Sequence, residues 1–289
     1  MAKPKITPTG GDNPEAQAAP AGPRVLGGLL DELADVALRV ATGAAEVLQN
    51  YASVRLQEVS TKSSPTDLVS EADRASEAYI VSELQKARPD DAVLGEEGAS
   101  STGTSGVSWV ADPLDGTTNF FFRVPAYCVS LAAQYAGRPV VGVVVDPSRG
   151  ETWSAASGRG AKCNGVACHV ATGRSELATA LVATGFGYKR ERRAEQAAIL
   201  PRLIPTVRDI RRFGSAALDL CWVAGGRFDA YYESHLNDWD WAAGRVICEE
   251  AGARVTMLPG NILLAATPEL SEPLAELILG AAQEPGKAL

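Results

Sequence analysis

The stretch Asp112-Pro-Leu-Asp-Gly-Thr-Thr-Asn-Phe120 follows a short apolar run, 109–111, that has the composition of a β-strand. The proline after Asp112 cannot donate a hydrogen bond to a neighbouring strand, so we expect the strand to end there. Asp115 lies on the same turn, and Gly116 is suited to a positive φ. The Thr-Thr-Asn run that follows is suited to capping a helix, whose free N–H groups would attract an anion. The stretch predicts an anion site beside two carboxylates, with an ordinary capped turn as the alternative.

Three further segments place acidic residues at turns or at the ends of elements. Their acidic residues are Asp67 and Asp73 in the segment 62–73, Glu96 and Glu97 in Gly95-Glu96-Glu97-Gly98, and Asp238 and Asp240 in Asp238-Trp-Asp240-Trp241. Taken alone, the paired glutamates are typical of a solvated loop, and Asp240 is typical of a helix N-cap. Two like charges about 4 Å apart near a protein surface repel by about 4 kcal/mol. Several such groups together therefore indicate a bound cation.

The composition limits both the partners and the metal. The 289 residues contain 27 Lys and Arg against 35 Asp and Glu, so the formal net charge is −8. This sign disfavours nucleic acid and membrane surfaces as partners. The chain has two histidines, so an imidazole-rich site is excluded and oxygen must ligate any metal. We expect Mg²⁺, with Mn²⁺ as a substitute and Ca²⁺ as a competitor.

The cysteines and the apolar segments predict a cytoplasmic protein. Five cysteines are an odd number at low density, which is typical of reduced thiols. Cys163 and Cys168 beside His169 lack the second half of a zinc site, so we interpret them as structural. The N-terminus lacks the apolar core of a signal peptide, and the apolar stretches are far shorter than the ~20 residues that span a bilayer.

Hydrophobic periodicity predicts the organisation of the chain. Residues 1–24 contain five prolines and no periodicity, which predicts a disordered tail. The remainder, 25–289, is predicted to be a single folded domain with subdomains at about 25–165 and 166–289. Helices are predicted at 25–51, 70–87, 192–203, 215–224, 239–251 and 268–279. Strands are predicted at 92–94, 109–111, 127–135, 140–145, 151–155, 180–183, 207–211, 228–232, 254–257 and 262–265. This order predicts a mixed α/β or α+β fold with two sheets and helices between and outside them.

Six motifs together resemble the inositol monophosphatase family in order and spacing. They are Lys62-Ser-Ser-Pro-Thr-Asp67, Gly95-Glu96-Glu97, Asp112-Pro-Leu-Asp-Gly-Thr-Thr-Asn-Phe120, Gly214-Ser-Ala-Ala217, Asp229-Ala-Tyr-Tyr-Glu233 and Trp239-Asp-Trp-Ala-Ala-Gly244. The resemblance covers about 62–252. It implies an α/β (α+β) protein with the αβαβα layered sandwich of the sugar phosphatases. It also implies Mg²⁺-dependent hydrolysis of a phosphate monoester, inhibition by Li⁺ and Ca²⁺, and a homodimer.

The resemblance further implies two or three metal ions per subunit. Glu96, Asp112 and the backbone carbonyl of Leu114 match the ligands of the first ion. Asp112, Asp115 and Asp240 match the ligands of the second. A third and weaker ion of the family also contacts the position of Glu96.

The remaining site positions concern the water and the substrate. Asp73 and Thr117 match the pair that, with Glu96, positions and deprotonates the attacking water. Gly116 and Thr117 match the residues whose N–H groups bind the phosphate. The positions that contact the substrate are matched by Asp115, Gly214, Ser215, Ala216 and Glu233. Lys62 matches a position on a loop over the site. The implied reaction is an in-line displacement by activated water, without a covalent enzyme intermediate.

The substrate is left open by the resemblance. Relatives cleave myo-inositol monophosphate, fructose 1,6-bisphosphate, 3′-phosphoadenosine 5′-phosphate, histidinol phosphate or NADP. Glu233 and the ending Thr118-Asn119-Phe120 favour an inositol-phosphate-like polyol monoester, because Glu233 can accept hydrogen bonds from ring hydroxyls. Arg211 and Arg212 would suit a second phosphate, so a bisphosphate is the alternative.

Two further points bear on function. The segment 253–262 is shorter than the usual hairpin of the family, and Asn237, Asp238 and Trp241 are less usual neighbours of Asp240, which predicts an altered alcohol pocket.

A catalytically silent interaction protein with the same fold is the non-enzyme alternative. The filled acidic positions argue against it, because a lapsed site would be free to lose them.

Overall fold

The computed structural model describes residues 23–53, 59–61 and 68–283. The helices of these residues are α1 Pro23–Ser53, α2 Glu71–Ala87, α3 Thr117–Phe122, α4 Arg190–Ala197, α5 Leu200–Leu203, α6 Ala216–Ala224, α7 Asp238–Glu250 and α8 Pro268–Gln283. The strands are β1 Val59–Thr61, β2 Leu68–Ser70, β3 Ala92–Gly95, β4 Ser100–Ser101, β5 Val107–Asp115, β6 Cys128–Tyr135, β7 Arg138–Asp146, β8 Glu151–Ala156, β9 Ala161–Cys163, β10 Val166–Cys168, β11 Leu181–Thr184, β12 Asp209–Arg211, β13 Ala230–Ser234, β14 Arg254–Leu258 and β15 Ile262–Ala266. Among the described helices, none is long and apolar enough to cross a membrane.

An eight-stranded sheet is covered on one face by α1 and α2. Its strand order is β10-β9-β8-β7-β6-β5-β3-β4, and neighbouring strands are antiparallel except for the parallel pair β3 and β5. Apolar residues of α1 recur at spacings of three and four residues, which places them on one face of the helix. Of these, Leu33, Ala37 and Leu48 are fully buried. They pack in one cluster with Ile80 of α2 and Leu131 of β6. The outer helices therefore form a core of their own with this sheet.

A five-stranded sheet has the order β12-β11-β13-β15-β14. Strand β11 is parallel to β12 and β13, and β15 returns antiparallel beside β13. Helix α8 contributes Leu270, Leu274 and Ile278 to a cluster with Leu203 of α5 and Leu264 of β15. This cluster forms the outer layer of the second sheet.

Helices α6 and α7 form a layer between the two sheets. Every residue of α6 is buried, and small residues allow α7 to approach closely. A Cβ atom built on Gly142 of β7 would lie 2.3 Å from the carbonyl oxygen of Ala243, and one built on Gly244 would lie 2.6 Å from Leu220 Cδ1. The layers therefore follow the order αβαβα, which confirms the predicted fold class.

Strand β5 differs from the prediction in a way that shapes the site. It continues past Asp112 to Asp115 instead of ending at Asp112, because a register shift lies between those two residues and pairing resumes between Asp115 and Cys128 of β6. The proline lies inside this irregularity, so its missing N–H group leaves the rest of the strand intact. The prediction that the strand ends at Asp112 was wrong.

Three other parts of the predicted organisation also differ from the structure. Helix α1 begins at Pro23, inside the stretch 1–24 predicted to be a tail; residues 1–22 lie outside the described residues. The predicted helix 192–203 is divided into α4 and α5, and Pro201 lies in the first turn of α5. Strands β9 and β10 were missed, although Asn164-Gly165 between them is a hairpin signal and both residues have positive φ.

Candidate active site

One cavity of about 350 Å³ collects most of the predicted site residues. The predicted residues that line it are Glu96, Asp112, Leu114, Asp115, Gly116, Thr117, Gly214, Ala216, Glu233 and Asp240. They come from the ends of β3, β5 and β13 and from the first turns of α3, α6 and α7. Asp73 and Ser215 do not line the cavity but contact residues that do. Lys62 lies outside the described residues.

Asp115 is held by the beginning of α6. Its Oδ2 atom accepts hydrogen bonds from Ser215 Oγ at 2.7 Å and from the backbone N–H of Ala217 at 2.8 Å. Ser215 is also the N-cap of α6, and its Oγ accepts from Leu218 N at 3.4 Å. Burial raises the pKa of Asp115 to about 6. The hydrogen bonds from Ser215 and Ala217 lower this pKa by a smaller amount, and the charge of Glu96 raises it further. One serine thus orders both a helix and a pocket carboxylate.

The turn after β5 is built around Gly116. Its φ is +93°, and a Cβ atom there would lie 2.8 Å from the carbonyl oxygen of Ala126. This confirms the prediction of a positive φ before a helix. Asn119 fastens the same turn, because its Nδ2 donates to the carbonyl oxygens of Ala126 and Phe213, each at 2.7 Å. This role of Asn119 was not predicted from the sequence, since Phe213 lies 94 positions further along the chain.

Thr117 connects this turn to α2. Its hydroxyl donates to the carbonyl oxygen of Leu114 at 3.1 Å and lies 3.4 Å from Asp73 Oδ2. Asp73 is fully buried in the first turn of α2. The structure therefore brings together the threonine and the aspartate that the resemblance paired.

Asp240 lies in the first turn of α7. The N-cap of that helix is Asn237, and Asp240 Oδ2 accepts from the N–H of Asn237 at 2.6 Å, which closes a capping box. Burial raises the pKa of Asp240 well above its usual range, and the charges of Asp115, Glu96 and Glu233 raise it further. The alternative interpretation, in which Asp240 is itself the N-cap, is wrong, because Asn237 is the N-cap and Asp240 is the third residue of the helix.

Glu233 is the penultimate residue of β13 and lines the same cavity. Tyr231 donates a hydrogen bond to its Oε2 at 2.8 Å, and burial raises the pKa of Glu233 to about 7, with Tyr231 and Arg212 opposing the rise. A Cβ atom on Gly185 would lie 1.7 Å from Glu233 Oε2. A glycine at 185 is therefore required for this carboxylate to lie where it does.

A basic edge of the cavity was only partly predicted. Lys189, Arg192 and Arg212 line it, together with the loop 185–188. Arg211, which the sequence suggested beside Arg212, lies on another surface and pairs with Asp209 at 2.6 Å. Two positions of the loop are glycines, which was the available signal for a close approach.

The donor set of the cavity fits a hard divalent cation. Burial raises the pKa of Asp112 well above its usual range, and Glu96, Asp115, Asp240 and Asp73 all raise it further by repulsion. A cation would relieve this repulsion, and oxygen donors suit Mg²⁺. Across 23–53, 59–61 and 68–283, no three Asp, Glu, His or Cys side chains already converge as the ligands of one metal ion, so the carboxylates of the cavity would turn towards a cation as it binds. The carboxylates therefore share a cavity without forming a closed cage.

The fold and this acidic cavity define a class of phosphatase. The solved inositol monophosphatase from Anabaena (Nostoc) sp. PCC 7120 superimposes with a TM-score of 0.80 at 34% identity, covering 90% of this chain and 100% of that one. The inositol monophosphatase family matches residues 29–286. The chain belongs to the inositol monophosphatase family.

Two sequence relatives are informative. The inositol-1-monophosphatase SuhB of Mycobacterium tuberculosis is 46% identical over 230 residues, which cover 75% of this chain and 79% of that protein. The Nus factor SuhB of Salmonella typhimurium is 41% identical over 239 residues, which cover 79% and 89%. The predicted family and enzyme class are thereby confirmed, and the chain is a phosphatase of a metal-dependent family.

Proposed function

We propose that this protein hydrolyses a polyol phosphate monoester, myo-inositol monophosphate, to the free polyol and phosphate with Mg²⁺ as cofactor. The observation that carries the proposal is the meeting of four carboxylates, a Gly-Thr turn and Glu233 in one cavity. The carboxylates suit metal ions, the turn suits phosphate, and Glu233 suits hydroxyl groups. The name of the Mycobacterium tuberculosis relative supports the same substrate.

The proposed metal ligands are the residues that the resemblance to the inositol monophosphatase family implies. Glu96, Asp112 and the carbonyl of Leu114 would hold one Mg²⁺, and Asp112, Asp115 and Asp240 a second, with a third ion near Glu96. When bound, Mg²⁺ supplies Lewis-acid stabilisation of the charge on the phosphoryl oxygens. Mn²⁺ would substitute, while Li⁺ and Ca²⁺ would inhibit.

The residues of the chain position the reactants. When the Thr117 hydroxyl donates to Asp73 instead of the carbonyl of Leu114, its oxygen is free to accept a hydrogen bond from a water, and the proton of that water would pass through Thr117 to Asp73. The N–H groups of Gly116 and Thr117 would bind phosphate oxygens. Glu233 would accept hydrogen bonds from ring hydroxyls beside Gly214 and Ala216.

A panel assay of phosphate release tests the proposal. Inositol 1-phosphate should be the best substrate, Mg²⁺ should be required, and Li⁺ should inhibit. Histidinol phosphate, NADP and 3′-phosphoadenosine 5′-phosphate form the comparison set. Equal turnover of all these esters, or turnover in EDTA, would contradict the proposal.

A bisphosphate ester is the second candidate substrate. Lys189, Arg192 and Arg212 line the same cavity as the carboxylates, and three cations beyond the phosphate site would suit a second anionic group. Fructose 1,6-bisphosphate therefore belongs in the panel. A higher kcat/KM for it than for inositol 1-phosphate would favour this candidate.

The setting of the enzyme is also part of the proposal. We infer a homodimer in the cytoplasm, with 25–289 as one catalytic domain. The five cysteines all lie among the described residues and are free thiols, which supports a reducing compartment. The Salmonella typhimurium relative is named a Nus factor and not a phosphatase, so an interaction protein is the non-enzyme alternative. Titration with Mg²⁺ and phosphate separates the two, because a silent scaffold would not bind them together.

A further inference from the structure

Glu77 of α2 contacts the turn that carries Glu96. Its Oε1 atom accepts hydrogen bonds from the backbone N–H of Glu97 at 3.0 Å and of Ala99 at 3.4 Å. The turn 95–99 begins where β3 ends, and its ends are joined by a hydrogen bond from Gly95 N to the carbonyl oxygen of Ala99 at 2.7 Å. One carboxylate oxygen thus accepts hydrogen bonds from two N–H groups of the turn, one at its middle and one at its end.

Gly95 makes this contact possible. A Cβ atom on Gly95 would lie 2.2 Å from Glu77 Oε1 and 3.1 Å from Glu77 Cδ. Any side chain at 95 would therefore displace the carboxylate from the turn. Glycine is needed here for the close approach of Glu77, not for a positive φ, which Gly95 does not have.

The placement of Glu77 has an electrostatic cost. Burial raises the pKa of Glu77, and the charges of Glu97 and Glu96 raise it further, while the two backbone hydrogen bonds lower it. Two backbone N–H groups nevertheless keep this third glutamate against the turn. Its position against the turn indicates a compensating role.

We propose that Glu77 is a positioning residue that fixes the turn 95–99, and thereby holds the Glu96 carboxylate in the cavity for the metal. The inference rests on the proposed function, in which Glu96 is a metal ligand. The opposite side of the turn is already fixed by a hydrogen bond from Glu96 N to the carbonyl oxygen of Ala111 at 3.2 Å. Glu77 supplies the second anchor, from a different layer of the fold.

Three variants of α2 test the role of the hydrogen bonds. Glu77→Ala removes the acceptor, and we expect the dissociation constant for Mg²⁺, measured by isothermal titration calorimetry with phosphate present, to rise by about 10- to 100-fold. Glu77→Gln keeps an acceptor oxygen and should stay within about threefold of the unsubstituted protein. Glu83→Ala removes a carboxylate that pairs with Lys86 on the same helix and should have no effect. Circular dichroism and thermal unfolding confirm that each variant is folded.

A fourth variant tests the same contact from the other side. Gly95→Ala should displace Glu77 and weaken Mg²⁺ binding as Glu77→Ala does. Since both changes break one contact, the double variant should bind Mg²⁺ no more weakly than either single variant. If the dissociation constant for Mg²⁺ of the double variant rose by the product of the two single increases, the two changes would act independently, and positioning through one shared contact would be contradicted.

The outcomes separate this inference from the proposed function. If the unsubstituted protein binds no Mg²⁺ with phosphate, the proposed function fails. If it binds Mg²⁺ and folded Glu77→Ala binds it equally well, the positioning role fails. A Glu77→Gln protein as weak as Glu77→Ala would also overturn the role, because the amide keeps the acceptor.

Discussion

Replacing Asp115 with asparagine removes one charge from the cavity and preserves its shape. The amide oxygen can take the place of Oδ2 and still accept the hydrogen bonds from Ser215 and Ala217. The difference between the two proteins therefore isolates the charge of one buried carboxylate. We expect this difference to depend on pH when no divalent metal is present.

The size and sign of the effect follow from the pKa of Asp115. Its ordinary value of 3.8 rises to about 6 in the folded protein. Since one pKa unit corresponds to about 1.4 kcal/mol, ionised Asp115 costs the folded state about 3 kcal/mol. The folded state keeps its proton to a higher pH than the unfolded chain, so stability decreases as pH rises between these values. About 2 kcal/mol of the loss develops between about pH 4.5 and pH 8.

Chemical denaturation in EDTA, repeated from about pH 4.5 to pH 8, measures this change. The free energy of unfolding of Asp115→Asn should increase relative to the unsubstituted protein by about 2 kcal/mol across the range. Asp238→Asn is the matched substitution at an exposed aspartate outside the cavity. If the free energies of unfolding of Asp115→Asn and of the unsubstituted protein differed by the same amount at every pH, the raised pKa of Asp115 would be refuted. Saturating Mg²⁺ should abolish the advantage of asparagine, because the cation stabilises the ionised carboxylate.

Four other changes have defined outcomes. Asp240→Asn should lower kcat by at least about 100-fold in a folded protein, and near-normal turnover would contradict the assignment of Asp240 as a metal ligand. Ser215→Ala should lower the free energy of unfolding by about 2–3 kcal/mol, since it removes a helix cap and a donor to a carboxylate; a loss below about 0.5 kcal/mol in a denaturation curve would count against it. Gly142→Ala should cost about 1–3 kcal/mol in thermal unfolding, because its Cβ would meet the backbone of Ala243. Mg²⁺ with phosphate at about 100 times its Kd should stabilise the protein by about 2.7 kcal/mol, and an unchanged Tm would argue against the site.

Residues that act within one turn could be predicted from the sequence. The positive φ of Gly116 and the position of Asp115 beside it follow from local chemistry, because proline, glycine and threonine restrict the backbone within a few residues. The hydrogen bond between Ser215 and Asp115 could not be predicted, since the two residues are 100 positions apart. The hydrogen bonds of Asn119 to Phe213, 94 positions away, and of Glu77 to Glu97, 20 positions away, also join residues of different elements and were missed.

The fold shows the same division between local and long-range information. The long helices and the positions of most long strands along the chain were predicted because apolar periodicity records which face is buried. The continuation of β5 through a proline was not, because the irregularity depends on pairing with Cys128 of another strand. The hairpin at Asn164-Gly165 carried a local signal that was overlooked.

Asp240 shows how one residue can serve stability and chemistry together. Its capping box uses one carboxylate oxygen, at 2.6 Å from the N–H of Asn237, so the second oxygen is not needed for the cap. Asparagine at 240 retains a cap acceptor but loses the charge, whereas alanine loses both. If the two roles are separable, Asp240→Asn and Asp240→Ala should lose activity alike, but alanine alone should lose the ~1 kcal/mol of a helix cap. The interpretations of Asp240 as a cap and as a metal ligand are therefore compatible, and comparing the two variants measures each role.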